Sequence, residues 1–185
     1  MARVLIPLAD GCEELEAVTV IDLLRRAGID VVTAGLKEGP VTASRGVVLL
    51  PDRTLDEVLG DSFDMIVLPG GLPGADHLDN DPRIHHLLQQ MAEQDKYTAA
   101  ICAAPKVLLN AGLLDNRKAT AYPGVIDGRI AAESLLLDQA VVSDGRVITS
   151  RGPGTAMDFA LSLIEHLLGA DKRQEVEAPL VRAQG

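Results

Sequence analysis

Met65-Ile66-Val67-Leu68-Pro69-Gly70-Gly71 and Thr98-Ala99-Ala100-Ile101-Cys102-Ala103-Ala104-Pro105 are short apolar runs, each closed by a turn or a helix start. A continuous apolar run of this length reads as a strand buried on both faces, the kind found inside a parallel sheet. Between them, Pro82 opens a helical stretch reaching about Gln94. The same alternation extends toward the N-terminus. Arg3–Leu8 reads as a strand, about Glu13–Ala27 as a helix, and Asp30–Gly35 as a second strand. That helix carries Glu13, Glu14 and Glu16 in its first turn, Arg25 and Arg26 in its last, and Gly28 just beyond it, as helix polarity and C-capping favour. Val41–Ala43 and Val47–Leu50 read as short β pieces, and Thr54 as the cap of a short helix Leu55–Leu59.

Toward the C-terminus, Ala104–Ala111 reads as a helix with Pro105 in its first turn. Ala140–Ser143 and Arg146–Thr149 flank Asp144-Gly145 as a hairpin. Ala156–Leu168 is the last strong helix, its apolar residues spaced i, i+3, i+4, i+7, i+8 and i+11, with Gly169 ending it. Strands alternating with helices predict an α/β fold with a mostly parallel sheet.

The 185 residues suit a single domain, 1–185, and 47% hydrophobic content excludes a disordered chain. Seventeen basic against 27 acidic residues give a net charge of −10, which would repel a polyanion. Only 2% of residues are aromatic, too few for base-stacking platforms, so nucleic acid is not an expected partner. Cys12 and Cys102 match no zinc or redox-pair spacing, and two cysteines make no disulfide framework. No stretch approaches the roughly 20 apolar residues of a membrane span, and the short apolar start closed by Pro7 and Asp10 is no signal peptide. The expected compartment is the cytoplasm.

In open α/β sheets, chemistry gathers at the carboxyl ends of the strands. Three loops meet that condition: Ala9–Glu16, Pro69–Gly74 and Cys102–Pro105. Cys102 ends a strand and opens a helix, a turn resembling a nucleophile elbow, and the helix N-terminus is expected to lower its thiol pKa. It reads equally as an inert buried cysteine. Gly70 and Gly71 allow a ligand close to backbone N–H groups, as an oxyanion site requires, or simply make a tight turn. Acids at a helix start are ordinarily solvated; Glu16, among Leu15, Ala17 and Val18, is the one best placed to turn inward. His85 and His86 are adjacent and diverge on a helix, with His77 and His166 elsewhere, so no metal site is expected.

These residues also carry a resemblance. Gly11-Cys12-Glu13-Glu14-Leu15-Glu16-Ala17-Val18, Asp22–Gly28, Ser44-Arg45-Gly46-Val47, Val67–Gly71, Ala99–Pro105, Ser150-Arg151-Gly152-Pro153-Gly154-Thr155 and Ala178-Pro179-Leu180-Val181 resemble, in order, the ThiJ/PfpI superfamily. They match its branch of the parkinsonism-associated deglycase and bacterial YajL. The resemblance implies a flavodoxin-like three-layer sandwich and a homodimer. It makes Cys102 the oxidation-sensitive nucleophile and Glu16 the carboxyl that hydrogen-bonds to it. Gly70 and Gly71 become backbone donors near the cysteine, joined by the amide of Ala103. The implied activity is a cofactor-free glyoxalase converting α-oxoaldehydes such as methylglyoxal to hydroxy acids, or a deglycase acting on early glycation adducts. The alternative is a redox-sensing chaperone for client proteins, its cysteine oxidised to sulfinate.

Two positions depart from the superfamily. Ala103 stands where protease-like members place a histidine. Tyr122 stands where some deglycase-branch members carry one, and a phenol donates hydrogen bonds but is a poor base. Tyr122, Arg45 and Cys12 are auxiliary candidates, Cys12 as a resolving thiol on the same sheet edge. A first helix apolar on nearly all sides (Leu15, Val18, Val20, Ile21, Leu23, Leu24) also points to a partner surface.

Overall fold

A computed structural model describes residues 1–183. Its elements run β1 (Arg3–Leu8), α1 (Glu14–Arg26), β2 (Asp30–Gly35), β3 (Val41–Thr42), β4 (Val48–Leu49), β5 (Arg53–Thr54), α2 (Leu55–Val58) and β6 (Met65–Leu68). Then come α3 (Gly74–Asp79), α4 (Pro82–Glu93), β7 (Tyr97–Ile101), α5 (Pro105–Asn110), β8 (Val141–Asp144), β9 (Val147–Ser150), α6 (Ala156–Leu168) and α7 (Ala170–Glu177). Seven strands form one sheet in the order β5-β2-β1-β6-β7-β9-β8, parallel except for β8, while β3 and β4 pair separately. This is the flavodoxin-like α/β sandwich.

Alternation along the central strands builds a core on each face of the sheet. Val4, Ile6 and Leu8 of β1, with Met65 and Val67 of β6, pack against Leu23 and Leu24 of α1 and Phe159 and Leu163 of α6. Leu5, Ile66 and Leu68 point the other way, to Ile84, Leu87 and Leu88 of α4 and to Val107 and Leu108 of α5. Because both faces are covered, the strands show no polar face, and the apolar runs are continuous.

Strand order reverses at β1, which pairs β2 on one side and β6 on the other. The carboxyl ends of β1 and β6, with β7 next along, therefore frame the crevice where this topology leaves room for a ligand.

Several elements differ from the sequence reading. The β8–β9 turn is Gly145-Arg146, one residue later than expected, because Asp144 pairs with Val147 and Gly145 takes a φ of +61°. The β pieces around Ser44-Arg45-Gly46 shrink to two residues each. At α2, Glu57 caps by reaching back, accepting from the N–H of Thr54 (2.7 Å) and its Oγ1 (2.9 Å). The edge strand β5 and the helices α3 and α7 have no counterpart in the sequence reading. Helix α7 buries only Val176, so it carries no apolar stripe. Arg173 links it to Glu165 of α6 (2.8 Å) and also pairs within the helix with Glu177 (3.6 Å). No helix among the described residues is long and apolar enough to cross a membrane.

Candidate active site

Cys102 follows the last residue of β7 and begins a tight turn in which the Ala104 N–H donates to the Ile101 carbonyl (3.0 Å). Its φ is +64°, a left-handed backbone that L-residues with a Cβ rarely adopt. Small residues at 103 and 104 and Pro105 at the first helical position let the chain leave this turn directly into α5. Both backbone groups of Cys102 are held: its N–H donates to Ser150 O (3.0 Å), and its carbonyl accepts from the Tyr122 N–H (2.9 Å). The residue is only 8% exposed. The elbow expected at the end of the strand is present, and it is strained.

Glu16 enters from the first turn of α1 and is fully buried. One carboxylate oxygen accepts from the Gly70 N–H at 2.8 Å, and Oε1 is buried with no hydrogen-bond partner among the described residues. Burial pushes the carboxyl up to about 7, against the lowering effects of the Gly70 N–H and the Cys102 thiol. Burial likewise pushes the Cys102 thiol up to about 12, with the neighbouring Glu16 carboxylate adding to the rise. The N–H groups of Gly71 and Ala103 oppose that rise at the sulfur. The expectation of a lowered thiol pKa is therefore corrected. Two acids share one dry space, and only one negative charge is tolerated near neutral pH.

The paired glycines have separate roles. A Cβ on Gly70 would lie 2.7 Å from Cys102 Cβ, 2.7 Å from Ile101 O and 2.8 Å from the Glu16 oxygen, so a bare backbone is what lets acid and thiol meet. Its N–H is engaged by Glu16 and is not free for an oxyanion, unlike the role the resemblance implied. Gly71 takes a φ of +87°, and a Cβ there would collide with the Glu13 nitrogen. The loop after β6 is thus pressed against the loop after β1, and the Glu13 N–H donates to Gly70 O (2.9 Å).

The remaining candidates divide. Tyr122 reaches the site through its backbone bond to Cys102, and the residue is 52% exposed. Cys12 lies in the loop after β1 but is 1% exposed, and burial pushes its thiol up to about 11. Both cysteines are free. Arg45 is exposed in the β3–β4 turn, engaged through its backbone N–H to Glu14 Oε1 (2.8 Å).

Sequence reasoning missed what Glu13 and Glu14 do. Ser44 Oγ donates to Glu13 (3.1 Å) and Glu14 (2.9 Å), pinning the β3–β4 turn onto α1. Burial alone would raise the Glu14 carboxyl, but its own N–H, Ser44, Arg45 and Val47 together hold it below the usual range. A partner some 30 positions away leaves no local signal. No group of three or more potential metal ligands occurs among the described residues.

Residues 2–166 match the DJ-1/PfpI family. The chain belongs to that family. Among curated relatives, Protein dj-1beta of Drosophila melanogaster is 44% identical over 180 residues, covering 97% of this chain and 96% of the fly protein. The Caenorhabditis elegans protein named glutathione-independent glyoxalase DJR-1.2 is 39% identical, covering 99% and 97%. The chain spans about 41% of the length of another relative, DJ-1 homolog B of Arabidopsis thaliana, at 41% identity. A solved structure described as Toxoplasma gondii DJ-1, oxidized, superposes with a TM-score of 0.95 at 38% identity, covering all of both chains. The DJ-1-type fold and the strand-end elbow thus occur together in a chain similar to a glyoxalase-named relative.

Proposed function

We propose that this DJ-1/PfpI member is a cofactor-free, cysteine-dependent glyoxalase or deglycase-type enzyme acting on small α-oxoaldehydes such as methylglyoxal or on early glycation adducts. The carrying observation is a buried carboxyl titrating at about 7 beside a buried thiol on a strained elbow. A base that titrates near working pH is well matched to removing and returning protons. Glu16 takes the thiol proton as Cys102 sulfur adds to the aldehyde carbon, giving a hemithioacetal. The N–H groups of Gly71 and Ala103 are the donors available to the charge that builds there.

Glu16 passes the thiol proton to the hemithioacetal oxygen and is ionised again. It then takes the C1 proton and returns it at C2, while the C1 hydroxyl proton moves to the C2 oxygen. C1 is thereby oxidised as C2 is reduced, and no external electron carrier enters. Water cleaves the resulting thioester, releasing a hydroxy acid and the free thiol. Tyr122, Arg45 and Cys12 hold no position in this scheme that transfers a proton. The test is methylglyoxal loss and lactate formation without glutathione. Wild type should turn over and Cys102→Ala should not; equal rates would refute the reading.

A second reading is a redox-sensing holdase for client proteins. In its favour, the Cys102 sulfur lies among two N–H donors and a carboxyl, a setting able to hold sulfinate oxygens. Two equivalents of peroxide would convert the thiol to sulfinate, each reduced to water.

We also read residues 1–185 as one domain, working as a homodimer. Leu15 and Val18 of α1 are 51% and 45% exposed; the β3–β4 turn is pinned to the start of that helix, and Val48 of β4 and Leu50 after it are exposed as well. Two free cysteines fit a reducing compartment, the cytoplasm.

A further inference from the structure

We infer that the cavity at the carboxyl ends of β1 and β2 is a binding site for a small carboxylic acid with an apolar tail. It is separate from the Cys102 site, since none of its lining residues belongs to the thiol–carboxyl pair or its N–H donors. The cavity holds about 660 Å³, within the range of small-molecule pockets. Leu8 ends β1 and Leu36 directly follows β2, so both strands deliver an apolar residue to its base. Ala9 and Val41, each 2% exposed, help to close that base. Half-buried Leu36 and exposed Pro82, at the first position of α4, are the apolar surface left for a ligand to cover.

The polar groups around the opening are not equally available. Asp81 accepts from the Arg83 N–H (3.0 Å), its Nε (2.9 Å) and a terminal nitrogen (2.6 Å). Arg83 also reaches Asp56 (2.7 Å) and the Leu36 carbonyl (2.9 Å), so this pair is spent and the start of α4 is capped. Asp10 is occupied as well: one oxygen accepts from the Thr42 N–H (3.0 Å) and the other from Lys37 (2.6 Å). Its carbonyl lies 2.9 Å from His77 Nδ1. A carbonyl only accepts, so that nitrogen carries the proton, and Nε2 of neutral His77 is no donor. Lys37 differs. Among the described residues one of its three N–H bonds is taken, and its side chain is 69% exposed. The Asn80 side chain, on the same cavity, makes no hydrogen bond among the described residues. Spare donors and a positive charge above an apolar base suit a carboxylate whose tail lies inward. An amine would find both acids already engaged.

The experiment titrates isotope-labelled protein with butyrate, hexanoate, octanoate and the neutral octanamide, following backbone amide signals by NMR. Octanoate should move the Asp10, Lys37 and Asn80 signals saturably, and Cys102→Ala should bind it as wild type does. Each added CH₂ along the acid series should tighten binding roughly two- to fourfold, as tail burial requires. Lys37→Met should weaken octanoate about fivefold, the upper end for an exposed charge pair, and leave octanamide within a factor of about two. Asp10→Asn removes the competitor for Lys37 while keeping an oxygen for Thr42, so octanoate should bind at least as tightly. No saturable shift, or equal octanoate affinity in Lys37→Met, overturns the carboxylate site. A flat chain-length series overturns the apolar base, and weaker binding in Asp10→Asn overturns the role given to Lys37. Binding lost in Cys102→Ala would put the acid at the thiol and refute a separate site. None of these readings depends on turnover, so failure of the glyoxalase reading leaves the inference to be decided on its own.

Discussion

Glu16→Gln should make the fold less sensitive to alkali while abolishing turnover. The carboxyl ordinarily titrates at 4.5 and is held in the fold at about 7, mainly by burial. Each pH unit of that gap is worth about 1.4 kcal/mol, so the ionised carboxylate costs the native state roughly 3 kcal/mol. Because the folded value is the higher one, stability is full below 4.5 and is lost as pH rises through about 7. Between pH 5 and 8 the loss is about 2–3 kcal/mol, equivalent to roughly 5–10 °C in Tm for a chain of this size.

Gln keeps the volume and an oxygen for the Gly70 N–H, but it cannot ionise. Carboxylates held low by hydrogen bonds and ion pairs, such as Asp64 and Asp81, are present in both proteins and cancel in the comparison. The measurement is the difference in Tm, Gln variant minus wild type, by circular dichroism in buffers from pH 5 to 8. It should grow by roughly 5–10 °C across that range. Parallel curves would mean that Glu16 is not the buried acid described, and the proton chemistry assigned to it would fall with it.

Other outcomes follow from the same geometry. Gly70→Ala should lower stability by about 1–3 kcal/mol, as overpacking does, and slow alkylation of Cys102, since its Cβ lands within 2.8 Å of acid, thiol and strand; unaltered denaturant midpoints would contradict the contact. Mild peroxide should add oxygen to Cys102 and leave Cys12 unmodified, because Cys102 has Glu16 beside it to take the thiol proton and is 8% exposed against 1% for Cys12; peptide mass spectrometry finding Cys12 first, or a Cys12–Cys102 disulfide, would reverse the assignment. Sedimentation at micromolar concentration should give about twice 19.6 kDa, and Leu15→Glu with Val18→Lys should give a monomer; a monomeric wild type would end the dimer reading.

The central strands were legible because burial on both faces leaves an uninterrupted apolar run. β1, β2 and β6 fall where the sequence reading put them, as do both ends of α6. The elbow was legible for a related reason: a strand that ends on Cys and is followed by Ala-Ala-Pro has few ways to enter a helix. What escaped the reading was long-range or set by charge. Nothing near Gly70 announces that its N–H is taken by a carboxyl 54 positions earlier. The direction of the Cys102 pKa depends on how dry the site is, a property of the assembled sheet and not of the local motif. Helix α7 was invisible to an apolar pattern because Val176 is the one residue it buries.

The left-handed backbone at Cys102 bears on how this chain tolerates change. A residue with a Cβ in that conformation costs about 1–2 kcal/mol relative to one without strain, and glycine would be free of that cost. Stability alone thus favours losing the thiol. A library sorted for thermal resistance, with no readout of chemistry, should lose Cys102 early and drift toward glycine there. Lineages under such sorting would keep the sandwich and shed the one side chain that gives it reactivity.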